Sequence, residues 1–248
     1  MQIWPESIHY FYMGRVKGNL VSGAVGSVVF YVVNGQQFNR AKPGKRKKPL
    51  TARMLERNNL FAELTGPSSR MLRYIKKQLL FPVGFNEYNR LRGWMYILYC
   101  ANHAREEWPV MADNNMCQLN PAVDLRHFFT ANITVSSKGS EGIAVNFPSF
   151  NPLSVVRAPL GAKDVTIQII VVSGPTGTAP IRIVNESYSF TYTDTLLPAK
   201  EFVLNTKGDD KDLVIVVLAI EYDNPGQYTK PDPRWLPAAV IAMGRIKH

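Results

Sequence analysis

Cysteine is scarce: Cys100 and Cys117 are the only two in 248 residues, and they form no Cys-x-x-Cys pair. A disulfide framework is therefore not expected, and the chain reads as intracellular or at least disulfide-independent. Long apolar runs are also missing. The longest, Leu20–Val33, is broken by Ser22, Gly23, Gly26 and Ser27, and is too short to span a bilayer. Arg15 and Lys17 precede it as they would in a signal peptide, but no small-x-small cleavage site follows. The expectation is a cytoplasmic or virion protein without a signal peptide or transmembrane segment.

Residues that carry catalysis are thinly spread. The four histidines, His9, His103, His127 and His248, share no helical spacing that would put two imidazoles on one metal. Asp124 and His127 are near each other in sequence, yet no Gly-x-Ser-x-Gly elbow supplies a nucleophile. Gly44-Lys45 continues into Arg46, and Asn39 stands where a P-loop has its first glycine. Glu106-Glu107 and Asp209-Asp210 sit in turn-like polar sequence, whereas an acid–base pair needs two different, partly buried environments. The reading is of a non-enzymatic protein with no catalytic residue, metal or cofactor.

What the chain does have is positive charge, placed unevenly. Residues 1–110 hold 17 Lys/Arg against 6 Asp/Glu, and residues 111–248 hold 12 against 13, so the halves carry +11 and −1. Such asymmetry points to a polyanion or an acidic protein surface as partner of the first half. Its densest stretch holds six cations, Arg40, Lys42, Lys45, Arg46, Lys47 and Lys48. Pro43, Gly44 and Pro49 exclude a regular helix there, leaving an exposed basic arm. A second group, Arg70, Arg73, Lys76 and Lys77, crowds the polar side of a helix and would extend the footprint. No groove-reading motif accompanies either group, so base-specific readout is not expected.

The patterning predicts an α+β chain with a boundary near residue 110. Met1–Tyr12, with Trp4, Tyr10, Phe11 and Tyr12, reads as a strand or docking arm. Val25–Val33 reads as a strand that turns at Asn34-Gly35 and returns through Gln36–Arg40 as a β-hairpin. Three helices follow. The first, capped by Thr51, places Met54, Phe61 and Leu64 on one face and is broken by Gly66-Pro67. The second carries Met71, Leu72, Ile75 and Leu79, and the third, near Glu87–Asn102, carries Tyr88, Leu91, Met95 and Leu98. From residue 111 the pattern changes to strands: His127–Val135, Ile143–Phe147, Val165–Val172, Tyr188–Tyr192, Phe202–Leu204, Leu213–Glu221 and Ala238–Arg245. Separated by Gly, Pro and Asp turns, they predict an antiparallel, Ig-like β-sandwich over residues 111–248.

Met13-Gly14-Arg15, then Gly18, Gly23, Gly26, Val28-Val29-Phe30, Gly35 and Arg40, lead through Lys45–Pro49 into Thr51, Arg57 and Phe61. This pattern resembles a widespread family of uncharacterised Bacteroidota proteins. Its members open on a Gly-rich segment and pass through a basic stretch into a Thr-x-x-Gln-x-x-x-Arg helix. Met54 stands where that pattern has glutamine, and residues 1–12 precede the usual start, as an extension or as an upstream start codon. The resemblance implies the same two-part architecture and a bacterial or phage context, and it assigns no activity. Taken together, the reading is a structural or assembly protein of a phage particle or mobile element, homo-oligomeric or part of a larger assembly. Its basic N-terminal part would contact nucleic acid or an acidic neighbouring subunit. A stand-alone nucleic-acid-binding accessory protein, or a carbohydrate- or protein-binding sandwich module, is the alternative.

Overall fold

The computed structural model describes residues 15–17, 19–33, 35–44, 49–102, 110–111, 116–175, 180–206, 212–223 and 232–245. The chain divides into two compact units, Met1–Ala52 and Arg53–His248.

The first unit is an antiparallel meander of four strands in chain order: β1 (Arg15–Lys17), β2 (Leu20–Val25), β3 (Val28–Val33) and β4 (Gln36–Ala41). Valine, phenylalanine and tyrosine favour the extended chain, and two-residue turns fold it back. The expected hairpin forms, with Val33 opposite Gln36 and Gly35 at φ +77°, while Asn34 lies outside the described residues. The run 25–33, expected as one strand, is divided at Gly26-Ser27, because Gly26 takes φ +59° and places Val25 opposite Val28. Every residue of this unit whose burial is described is exposed or half-buried.

The second unit is built on one central sheet. Helices α1 (Ala52–Gln78) and α2 (Phe85–Asn102) come first, followed by the short strands β5 (Val110–Met111) and β6 (Cys117–Gln118). Next are β7 (Thr134–Ser137), β8 (Ile143–Phe147), the single-turn α3 (Pro152–Val155) and β9 (Asp164–Gly174). The chain continues through β10 (Arg182–Thr191), β11 (Lys200–Leu204), β12 (Leu213–Asp223) and β13 (Ala238–Arg245). The central sheet runs β10-β9-β12-β13-β5, with β6 also on β13, and a smaller sheet runs β11-β8-β7. All of these pairings are antiparallel.

Each face of the central sheet has its own apolar core. On one face, Ile167, Ile169, Val214, Val216 and Ile241 meet Val135, Ile143, Val145 and Phe147 of the smaller sheet. Phe129, Phe150, Tyr188 and Phe190 close that side through edge-on ring contacts. On the other face, Ile170, Val172, Leu213, Ile215, Val217 and Val240 are covered by Leu64, Met71 and Ile75 of α1 and Leu91 and Met95 of α2. The helices expected in a separate N-terminal domain thus share a core with the sheet. The units divide at Ala52/Arg53, not near residue 110, because the apolar stripes of both helices are spent on β9, β12 and β13.

Gly66-Pro67 does not end the first helix, and α1 runs on to Gln78 with Pro67 inside it. An interior proline costs about 3 kcal/mol. Leu64, Pro67, Ser68, Met71 and Ile75 form one buried stripe, and each large side chain in it contributes about 1.5–3 kcal/mol, which outweighs the break. The Thr65 hydroxyl donates to the Phe61 carbonyl (2.7 Å) and the Ser68 hydroxyl to the Thr65 carbonyl (3.1 Å) at the turn where proline offers no N–H. N-terminal to Leu64, Met54 and Phe61, expected on an inward face, are exposed, although the Phe61 ring meets the edge of Tyr96 at 5.7 Å. At the start of α2, Glu87 accepts the Gly84 N–H (2.7 Å), which is one half of a capping box. The strand expected over His127–Val135 begins only at Thr134, since Asp124 caps a 3-10 turn over Leu125–His127.

The two thiols are free and differ in environment. Cys100 is exposed on α2, whereas burial on β6 pushes the Cys117 thiol up to about 12. Since the thiolate is the nucleophile, a maleimide in excess at pH 8 will add once to the native protein and a second time only after denaturation. Mass spectrometry reads the count, and two additions to the native protein would contradict the burial of Cys117.

Candidate functional site

The hairpin β3–β4 presents the most ligand-like surface of the basic half. The strand register sets Tyr31 opposite Phe38 and Val29 opposite Arg40, so these four residues share one face. The Tyr31 and Phe38 rings stack at 5.7 Å with planes 21° apart, and they are 40% and 43% exposed. The Arg40 guanidinium lies 5.9 Å from the Tyr31 ring centre, a cation–π contact on the same face. Ala24 pairs with Val29 and extends that face onto β2, and Arg15 occupies the register position opposite Ser22 on β1. Val21 N–H donates to the Gln37 side chain (2.7 Å), and Lys42 N–H to the Ser27 carbonyl (2.6 Å), which ties the end of β4 to the preceding turn. Two exposed rings beside a guanidinium on an open sheet can stack on bases while cations hold the backbone.

Of the expected cationic residues, Arg40 and Lys42 are exposed on this unit, and Lys45, Arg46, Lys47 and Lys48 lie outside the described residues. The other four belong to the second unit. Arg70 is half-buried and donates to the Pro175 carbonyl (2.8 Å), so it ties α1 to the end of β9. Arg73, Lys76 and Lys77 are exposed, with Lys77 5.5 Å from the Tyr74 ring centre. The two lysines stand in the last turn of α1, where the helix dipole favours cations whether or not a ligand is present. Tyr31 and Phe38 were not among the candidates, although a hairpin centred on Asn34-Gly35 already implies that they face each other.

The Asp124 carboxylate accepts from Gln118 (2.8 Å) and from the Arg126 backbone and guanidinium. The Arg126 guanidinium holds the Asp124 carboxyl below the usual carboxylate range, against the opposing effect of partial burial. Among the described residues no group of three or more His, Cys, Asp or Glu is placed to hold a metal ion, and no helix is long and apolar enough to cross a membrane.

Comparison with protein-family models, with curated proteins and with solved structures returns no match.

Proposed function

We propose that this chain is a non-enzymatic assembly protein whose N-terminal sheet and basic arm hold nucleic acid, with single strands preferred over duplex. The observation that carries this reading is the exposed Tyr31–Phe38 stack with Arg40 against it, at the start of the densest cationic stretch in the sequence. Stacking needs bases that are free of a duplex, and the cations need only phosphate, so binding is sequence-tolerant. The likeness to the uncharacterised Bacteroidota family belongs to the same proposal and rests on the residues between Met13 and Phe61 quoted above.

An Ig-like reading of the two packed sheets is also part of the proposal. The strand order supports it: β7, β8 and β11 form one sheet, and β10, β9, β12 and β13 form the other, with the chain alternating between them. In an assembly such a module meets copies of itself or a neighbouring subunit, and the basic part faces the polyanion.

The test is fluorescence anisotropy with a labelled oligo-dT and a duplex of equal length at two or more salt concentrations. With four to six phosphates neutralised, log K against log[salt] should fall with a slope of about −3 to −4 for the single strand. Replacing Lys45, Arg46, Lys47 and Lys48 together by Gln should flatten that slope. Tyr31→Ala with Phe38→Ala should weaken single-strand binding by about 1–3 kcal/mol per lost stack and leave the slope nearly unchanged. Equal binding by parent and both variants would sink the proposal. If the quadruple variant binds as the parent does but fails to sediment as an assembly, the arm docks on acidic protein instead.

A further inference from the structure

We propose a second binding site at the opposite chemistry of scale, a pocket for a small planar organic anion at one end of the two-sheet body. It is formed by the segment before β7, the connection from β8 to β9 and the turn leading into β13. Asp124, His127, Phe128, Arg157, Arg234 and Trp235 line a cavity of about 430 Å³. That volume falls in the range of small-ligand sites, roughly 300–1,000 Å³.

Two copies of one local device frame the pocket. Asp124-Leu125-Arg126-His127 and Asp232-Pro233-Arg234-Trp235 each form a 3-10 turn capped by the aspartate, whose carboxylate accepts the N–H two residues on, at 3.0 and 2.9 Å. The arginine of each turn folds back on its own aspartate, at 2.5 Å in the first and 2.7 Å in the second. Each turn therefore neutralises itself and delivers its last residue, His127 or Trp235, to the cavity wall.

Arg157 differs from those two arginines. It is exposed, and among the described residues no carboxylate pairs with it. Its position is nonetheless fixed. Its N–H donates to the Phe128 carbonyl (2.9 Å) and its carbonyl accepts from the Tyr222 hydroxyl (2.7 Å). Its guanidinium lies 5.6 Å from the Phe128 ring centre and 5.8 Å from that of Trp235, in the corner made by two rings 87° apart. A guanidinium held on aromatic rings keeps its N–H fork free for a carboxylate or phosphate, and the half-buried Trp235 offers a ring for the planar body. With the framing pairs neutral, Arg157 supplies the net charge of the site. This inference uses none of the residues that carry the nucleic-acid proposal.

Isothermal titration calorimetry of the full chain with adenosine 5′-monophosphate, benzoate and uncharged adenosine tests it. At least one of the two anions should bind, and adenosine should bind about tenfold more weakly than the nucleotide if the nucleotide is the one that binds. Preference between nucleotide and benzoate identifies the anion as phosphate or carboxylate. Arg157→Met keeps the packing stem and removes the charge; it should lower affinity about ten- to a hundredfold at an unchanged melting temperature. Trp235→Leu should lower affinity, and Arg73→Ala should leave it unaltered. The site is refuted if neither anion binds the parent, or if binding survives Arg157→Met. It is likewise refuted if binding disappears in the Lys45–Lys48 Gln variant, which would put the anion on the arm.

Discussion

Residues 111–248 expressed alone should give an insoluble or non-cooperative product, and residues 53–248 should give a soluble one with a single sharp unfolding transition. Without α1 and α2 the outer face of the central sheet loses its cover. Ile170, Val172, Leu213, Ile215, Val217 and Val240 would then form one contiguous exposed apolar surface. At about 1.5–3 kcal/mol for each buried aliphatic side chain, the loss is on the order of 10–20 kcal/mol, as large as the whole stability of an ordinary domain. An exposed patch of that kind also drives aggregation. The longer fragment keeps both cores and lacks the first unit, in which no residue whose burial is described is buried. Circular dichroism melts of the two fragments, with light scattering, provide the comparison. A soluble, cooperatively melting 111–248 fragment would mean that the helices are accessory to the sheet.

Gly142→Ala should be among the most damaging single substitutions in the chain. Gly142 has φ +118° and ψ −138°, a region open essentially to glycine alone. A Cβ there would lie 2.1 Å from the Leu204 carbonyl oxygen and 2.9 Å from its carbon, and both are backbone atoms of β11 that cannot swing aside. The pairing of β8 with β11, which starts at Ile143 opposite Leu204, would have to open at that end. Backbone strain of about 1–3 kcal/mol plus the displaced strand puts the cost at roughly 3 kcal/mol or more, a fall in melting temperature of about 6–12 °C. Gly93→Ala in α2 is the control. Nothing lies within 4 Å of its added Cβ, and alanine should stabilise the helix by about 1 kcal/mol. A Gly142→Ala protein that melts within 2 °C or so of the parent, against that roughly 6–12 °C expectation, would refute the clash.

Much of the fold could be read from local pattern, and what could not has identifiable causes. Ile143–Phe147 and Ala238–Arg245 were placed at their observed bounds, and the turn at Asn34-Gly35 pairs the strands it was expected to pair. The division of the chain is legible too, in its apolar runs rather than in its charge. Charge changes near residue 110, yet charge reports only on the surface. The runs Ile169-Ile170-Val171-Val172 and Leu213–Ile220 are apolar at every step, and a strand with no polar side must be covered on both faces. Tyr188 and Phe190, alternating with Ser189 and Thr191, mark a strand buried on one face, and β10 is indeed the sheet edge. The continuous runs thus call for a third layer, and the apolar stripes of α1 and α2 supply it. Pro67 misled for the opposite reason, because a local breaking tendency was overridden by a stripe that closes only in three dimensions. The cationic residues of the candidate interface are legible in composition alone. Tyr31 and Phe38 required the hairpin register to be followed one step further.

The central sheet also imposes an order on how the chain is completed. The helices precede every strand of the central sheet, while β12 and β13, which with β9 form the floor beneath them, come much later in the sequence. During synthesis α1 and α2 must wait with their apolar stripes open, and α1, interrupted by Pro67, has little tendency to persist alone. β12 and β13 complete the layered body, so a chain interrupted before them leaves the helices only part of their floor, chiefly Ile170 and Val172 of β9.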